Sequence, residues 1–135
     1  TRVETGAATL AICLGLQLLF EGSEESPGVD GLGVCSGVVR RFRGEVRVPQ
    51  FGWNRVEASG AGVVRGGHAY FANSFCATEA PGGWATAWSV HGDRFVAAME
   101  RGSVVACQCH PELSGSWGMD LLARWIAGCS EGEPC

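Results

Sequence analysis

Hydrophobic and polar positions follow three rhythms along this chain. The stretch "ATLAI", residues 8–12, is a continuous apolar run with two β-formers and predicts a short buried strand. "LGLQLLFEGSEE" follows, with Leu14, Leu18 and Leu19 at helical spacing ahead of acidic residues, and predicts a helix. "SPGVDGLG" is a turn-rich connection. From "VCSGVVRRF" onward the runs shorten to strand length, at residues 34–43, 51–58, 68–76, 84–91, 94–100 and 103–109. Turn chemistry separates them in "EASGAG", "TEAPGG" and "HGD". The last segment returns to a helical period. Trp117, Leu121 and Trp125 are four apart, as are Leu122 and Ile126, and Gly128 is the expected C-cap. Strand, helix, several strands, helix is the order of an α/β sheet with a hairpin-rich middle.

A chain of 135 residues is long enough for one domain with a core, and the expected domain is residues 1–135. The net charge of −4 argues against nucleic acid, because phosphate binding needs clustered Lys and Arg. The one basic cluster, "VVRRFRGEVR", interleaves its charges with Val and Phe, as the exposed face of a strand does. Seven cysteines at irregular spacing do not fit a disulfide framework; reduced thiols in a cytoplasmic protein fit better. Cys107, Cys109 and His110 suggest half a zinc site. On a strand, however, His110 points away from the two thiols, and no second ligand pair follows, so no metal and no cofactor are expected. The opening apolar run is shorter than the roughly 20 residues a spanning helix needs and is broken by Gly15 and Gln17. A secretory signal is disfavoured by Glu4 in the would-be basic region, and a lipoprotein signal by Ile12 before the cysteine. No membrane association is expected.

Cys13 falls where the first strand passes into the first helix. Ala11 and Gly15 flank it at two residues on either side, and small residues there permit a sharp turn that lifts one side chain out of a sheet, as in a nucleophile elbow. A helix N-terminus also favours thiolate over thiol. An inert buried cysteine fits the same stretch equally well. A nucleophile needs a base and the base an orienting group. His68 and His91 lie at strand edges beside glycine, where solvated histidines are expected. His110 ends the apolar strand "SVVACQC", Pro111 biases it to an extended conformation, and Glu112 two residues on can then share its side. Together Cys13, His110 and Glu112 have the composition of a catalytic triad.

At this point the motifs carry a resemblance. "AICLGLQLLFEGSEE" and "QCHPELSG" resemble the signatures of class I (triad) glutamine amidotransferases. "GLGVCSGVVRRF", "VPQFGWNRV" and "YFANSF" are similar to the glutaminase subunit of imidazole glycerol phosphate synthase. The resemblance runs from about Leu10 to about Ile126, with the motifs in family order. It implies a flavodoxin-like or Rossmann-like sheet. It implies that Cys13 attacks the side-chain amide of glutamine, that His110 shuttles protons and that Glu112 orients the histidine. It assigns Gln17 and Glu25 to the polar ends of the substrate, and the backbone of Asn73, Ser74 and Phe75 to the pocket wall. It places Pro49, Gln50, Gly52, Trp53 and Asn54 on a strip facing a cyclase subunit of (β/α)8-barrel fold, which receives the ammonia in a heterodimer. The chain departs from the family pattern at Ala11, Gln50, Phe51, Asn73, Cys109 and Leu113. Family members carry further strands and a glycine-rich oxyanion loop before the elbow. The domain is therefore expected to be N-terminally truncated, and the chain alone weakly active or inactive and poorly stable. Two alternatives stand beside this reading: another class I amidotransferase, of the pyridoxal phosphate synthase type, or a non-catalytic remnant that keeps the cyclase-facing surface.

Overall fold

The computed structural model describes residues 1–132. Its central sheet has the order β1-β9-β8-β7, built from β1 (Thr9–Ile12), β9 (Val104–Cys107), β8 (Asp93–Arg101) and β7 (Ala85–His91). β1 runs parallel to β9, pairing Leu10 with Val105 and Ile12 with Cys107; β7, β8 and β9 are antiparallel neighbours. β9 is buried along its whole length because both faces of the sheet are covered, which is why its sequence is an unbroken apolar run rather than an alternating one. Val105 and Cys107 face one core cluster with Phe42, Phe71, Phe95 and Leu121. Val104 and Ala106 face the other, with Leu16, Leu19, Phe20 and Met99.

Two smaller sheets flank the centre. β4 (Gln50–Val56) and β5 (Gly67–Asn73) form a hairpin in continuous register, from Gln50 opposite Asn73 to Val56 opposite Gly67. β3 (Cys35–Arg41) lies between β2 (Phe20–Ser23), to which it is parallel, and β6 (Phe75–Cys76), to which it is antiparallel. Arg40 and Arg41 are exposed on β3, as expected of the basic cluster. Helix α1 spans Leu14–Leu18, a 3₁₀ turn spans Pro111–Leu113, and helix α2 spans Gly115–Gly132. Among the described residues no helix is long and apolar enough to cross a membrane.

Most of the expected strands appear within two residues of their expected ends. Three expectations fail. The first helix is a single short turn, and Phe20–Ser23, read as its continuation, is a strand. The periodicity misled there because Leu14 and Leu18 are the exposed residues, while Leu16, Leu19 and Phe20 turn inward. The expected strand 68–76 breaks at Ser74, whose carbonyl accepts from the Phe42 N–H. Gly128 does not cap α2; the helix runs on to Gly132, and an interior glycine there costs only about 1 kcal/mol.

Candidate active site

Cys13 is the hinge between β1 and α1. Its backbone has φ 52° and ψ −103°, the one positive φ outside glycine among the described residues. The Cys13 N–H donates to the Cys107 carbonyl at 2.7 Å, so the central sheet holds the base of the turn. The Cys13 carbonyl accepts from the Leu16 and Gln17 N–H groups, so the short helix holds its top. A Cβ at position 15 would sit 3.2 Å from the Ala11 Cβ, a tight contact that favours small residues two positions to either side of the cysteine. The side chain is thereby lifted out of the sheet.

The thiol is half-buried. Its Sγ lies 3.6 Å from Gln108 Nε2 and 4.0 Å from the Ala72 carbonyl. Burial pushes its pKa up, against the pull of the Leu14 N–H and the Gln108 amide, and the Glu112 charge pushes the same way as burial. The expected lowering by the helix N-terminus is therefore overturned: a five-residue helix offers one facing N–H, and desolvation outweighs it.

His110 follows β9 with φ −102° and ψ 96°, the extended conformation that Pro111 imposes. Its N–H donates to the Tyr70 carbonyl. The Ser114 hydroxyl donates to the His110 carbonyl at 2.6 Å and accepts from the Tyr70 N–H at 2.8 Å, tying the strand end to β5. Glu112 reaches back through the 3₁₀ turn rather than along an extended chain, and its Oε1 lies 2.7 Å from His110 Nδ1. A carboxylate can only accept, so Nδ1 carries a proton, and the neutral form of the ring keeps its lone pair on Nε2. Helix α2 locks this turn from below: a Cβ at Gly118 would meet the Pro111 carbonyl oxygen at 1.8 Å. Among the described residues, no hydrogen bond joins Cys13 Sγ to His110 in this resting arrangement; the two side chains approach from neighbouring strand ends beside β5.

A cleft of about 290 Å³ opens at the thiol, lined by Cys13, Gln17, Glu25, Asn73, Ser74 and Phe75, with Pro49 at its margin. Glu25 is exposed and Gln17 buried. Both N–H bonds of the Gln17 amide are committed, to the Phe75 carbonyl at 3.1 Å and to Gln108 Oε1 at 3.0 Å, leaving its own oxygen for a ligand. Asn73 donates to the same Phe75 carbonyl at 3.0 Å and accepts from Gln50 Nε2 at 3.0 Å. Gln50 accepts in turn from Asn54 at 2.8 Å. Gln50 thus points inward and is buried, whereas its neighbours Phe51 and Trp53 are 70% and 58% exposed. The Trp53 ring stands edge-on to Tyr70 at 6.2 Å, and Gly52 has φ 125°.

Gln108 is the residue that sequence reasoning missed. It is fully buried, and the one signal for it was an amide inside the apolar run "VVACQC". His68 is exposed as expected, but His91 is not simply solvated: its Nε2 donates to the Arg47 carbonyl at 2.7 Å and its ring packs on Phe42.

An elbow cysteine on a sheet of this topology, with a His–Glu pair at the end of the neighbouring strand, defines a class of protein. Residues 2–127 match the family model "Glutamine amidotransferase class-I", and the chain belongs to that family. Within it, the chain is 46% identical over 122 residues to imidazole glycerol phosphate synthase subunit HisH of Thermus thermophilus, covering 90% of this chain and 61% of that protein. It is 46% identical over 132 residues to the HisH subunit of Thermococcus kodakarensis, covering 91% and 67%. It is 39% identical to part of the chloroplastic imidazole glycerol phosphate synthase hisHF of Arabidopsis thaliana, covering 92% of this chain and 22% of that one. The chain spans about three-fifths of the length of the first of these relatives. Solved structures share the fold: a glutamine amidotransferase crystal structure at TM-score 0.68 and 23% identity, covering 96% of this chain and 65% of that one, and the glutaminase domain of Trypanosoma brucei CTPS with bound acivicin at TM-score 0.67 and 14% identity, covering 99% and 64%.

Proposed function

We propose that this chain supplies the glutaminase half-reaction of an imidazole glycerol phosphate synthase, releasing ammonia from glutamine for a cyclase partner in the cytoplasm. The observation that carries the proposal is Cys13 itself: a cysteine held at positive φ, facing a cleft with one carboxylate and several backbone groups, at the end of a strand whose neighbour leads into a histidine with Nδ1 occupied by Glu112.

The chemistry follows from those positions. Glu25 and the free oxygen of Gln17 suit the ammonium of a glutamine, and the Asn73–Phe75 backbone lines the path of its side chain. His110 takes the proton of the Cys13 thiol at Nε2, the resulting thiolate attacks the amide carbon, and the Leu14 N–H at the head of α1 is one donor available to the developing oxyanion. His110 gives that proton to the departing ammonia as the C–N bond breaks, leaving a glutamyl thioester, then takes one from the water that hydrolyses it to glutamate and returns it to the sulfur as the C–S bond breaks. Closing the thiol–imidazole gap accompanies substrate binding in this scheme, since resting catalytic contacts are often long.

The exposed Phe51–Trp53 strip is the surface we assign to the cyclase, a (β/α)8 barrel in a heterodimer, because paired exposed aromatics beside glycine suit an interface core. The absence of a resting bond between thiol and imidazole favours a second reading, a cyclase-binding module without turnover. One assay separates the two. Purified chain with saturating glutamine and a cognate cyclase is expected to release glutamate at a rate that Cys13→Ala abolishes. No Cys13-dependent release, with cyclase binding intact, would establish the second reading. A Trp53→Ala change that left coupling to the cyclase untouched would instead favour another class I amidotransferase, such as the pyridoxal phosphate synthase type.

A further inference from the structure

Five side-chain amides form one continuous hydrogen-bonded chain. It runs from Asn54 through Gln50 and Asn73 to the Phe75 carbonyl, and from there through Gln17 and Gln108 to the Cys13 sulfur. The direction of the last two links is forced. The Phe75 carbonyl can only accept, so Gln17 must turn its NH₂ towards it. That same NH₂ group meets Gln108 and requires an oxygen there. Gln108 therefore has its Nε2 on the opposite side, 3.6 Å from Sγ. Rotating either amide by half a turn would set two donors, or two acceptors, against each other in a site where Gln108 is wholly buried and a mismatched polar group is costly.

We propose that Gln108 is a thiolate-stabilising donor to Cys13, held in its donating orientation by Gln17, whose own amide is pinned by the Phe75 carbonyl. An N–H facing sulfur prefers the charged acceptor to the neutral thiol. The role rests on Cys13 being the nucleophile, yet it is measurable without any turnover. Gln17 acts here as a positioning residue, because both its donors are spent inside the protein.

The test is the pH profile of Cys13 alkylation by iodoacetamide, read by mass spectrometry on the Cys13 peptide so that the other thiols do not contribute. Gln108→Met keeps the volume and removes the donor. Its alkylation midpoint is expected to rise by about one pH unit, a tenfold loss of thiolate at fixed pH below the midpoint. Gln108→Glu keeps the shape and sets a carboxylate against the sulfur, so a rise at least as large is expected. Gln17→Met frees Gln108 to rotate, and a smaller rise is expected. If Gln108 only fills space, the uncharged variants Gln108→Met and Gln17→Met, where folded, will change the limiting rate or the melting temperature with the midpoint within about 0.2 pH unit of the parent protein, and that result overturns the proposal. Should Gln108→Met fail to fold, Gln17→Met, which adds no charge and leaves Gln108 in place, decides: a raised midpoint supports the proposal and an unchanged one overturns it. Because no glutamine is consumed, a parent protein without glutaminase activity would sink the proposed function and leave this result standing, and the reverse also holds.

Discussion

The cysteine at the elbow carries backbone strain on the order of 1–3 kcal/mol, since φ 52° is a conformation that side chains other than those of glycine and asparagine rarely hold. That strain separates the needs of activity from those of stability at a single position. Cys13→Ala keeps the strain and Cys13→Gly relieves it, so both should release no glutamate while the glycine variant melts above the alanine variant, by about 1 kcal/mol of stability. Paired thermal melts and glutamate assays check this. The Glu112 carboxylate is half-exposed, so its hold on Nδ1 is partly shared with water. Glu112→Gln should lower kcat on the order of 10²-fold with little change in KM, because the amide can present either atom to Nδ1 and loses control of the tautomer. At this scale the sequence disclosed the types and order of Cys13, His110 and Glu112 but not Gln108. Its partners are Gln17, 91 positions away, and a sulfur across the sheet, and no local pattern reports such contacts.

Among elements, the strands were legible and the short segments were not. β4, β5, β7, β8 and β9 announce themselves by length, apolar content and turn chemistry at their ends. β2 has four residues and owes its existence to a parallel partner beyond a long turn-rich connection, an association made only in three dimensions. The helical spacing of leucines in α1 is real, but the elbow rotates that helix so that Leu14 and Leu18 face outward. The turn bearing His110 and Glu112 depends on α2 approaching closely at Gly118. Gly118→Ala would force the Pro111 carbonyl or the helix to move. It should cost about 1–3 kcal/mol of stability and lower kcat by displacing His110, whereas Gly128→Ala, with open space around it, should stabilise by about 1 kcal/mol. Urea unfolding of the two variants gives the comparison.

Over the whole molecule, two apolar layers sandwich one sheet, and thiols are built into them. Burial pushes Cys35 up to about 11 and Cys76 up to about 12, with the charges of Asp93 and Glu24 adding to the effect at Cys76. As pH rises past about 9, the unfolded chain releases these protons first. The stability these thiols contribute is complete below that point and declines as pH climbs towards 11 and 12. The urea midpoint of the reduced protein should therefore fall between pH 8.5 and about 11, and Cys76→Ala should flatten that slope. The class of fold could be foreseen from element order. The division of the core into two faces could not, because a strand buried on both sides shows no alternation to divide.

The amide chain also bears on how substitutions combine. Asn54 sits on the same strand as the exposed Trp53, yet through Gln50 and Asn73 it shares the Phe75 carbonyl with the residues that orient Gln108. Changes at the rim and beside the thiol should then show epistasis: the double variant Asn54→Ala with Gln108→Met should differ from the sum of its parts, while Arg55→Ala, pointing outward from the same strand, should add independently. On the proposed assignment of that strip to the cyclase, a lineage that alters it at this position would have to re-tune its cysteine as well, so adaptation to a new partner and preservation of chemistry would be tied to one another from the first substitution.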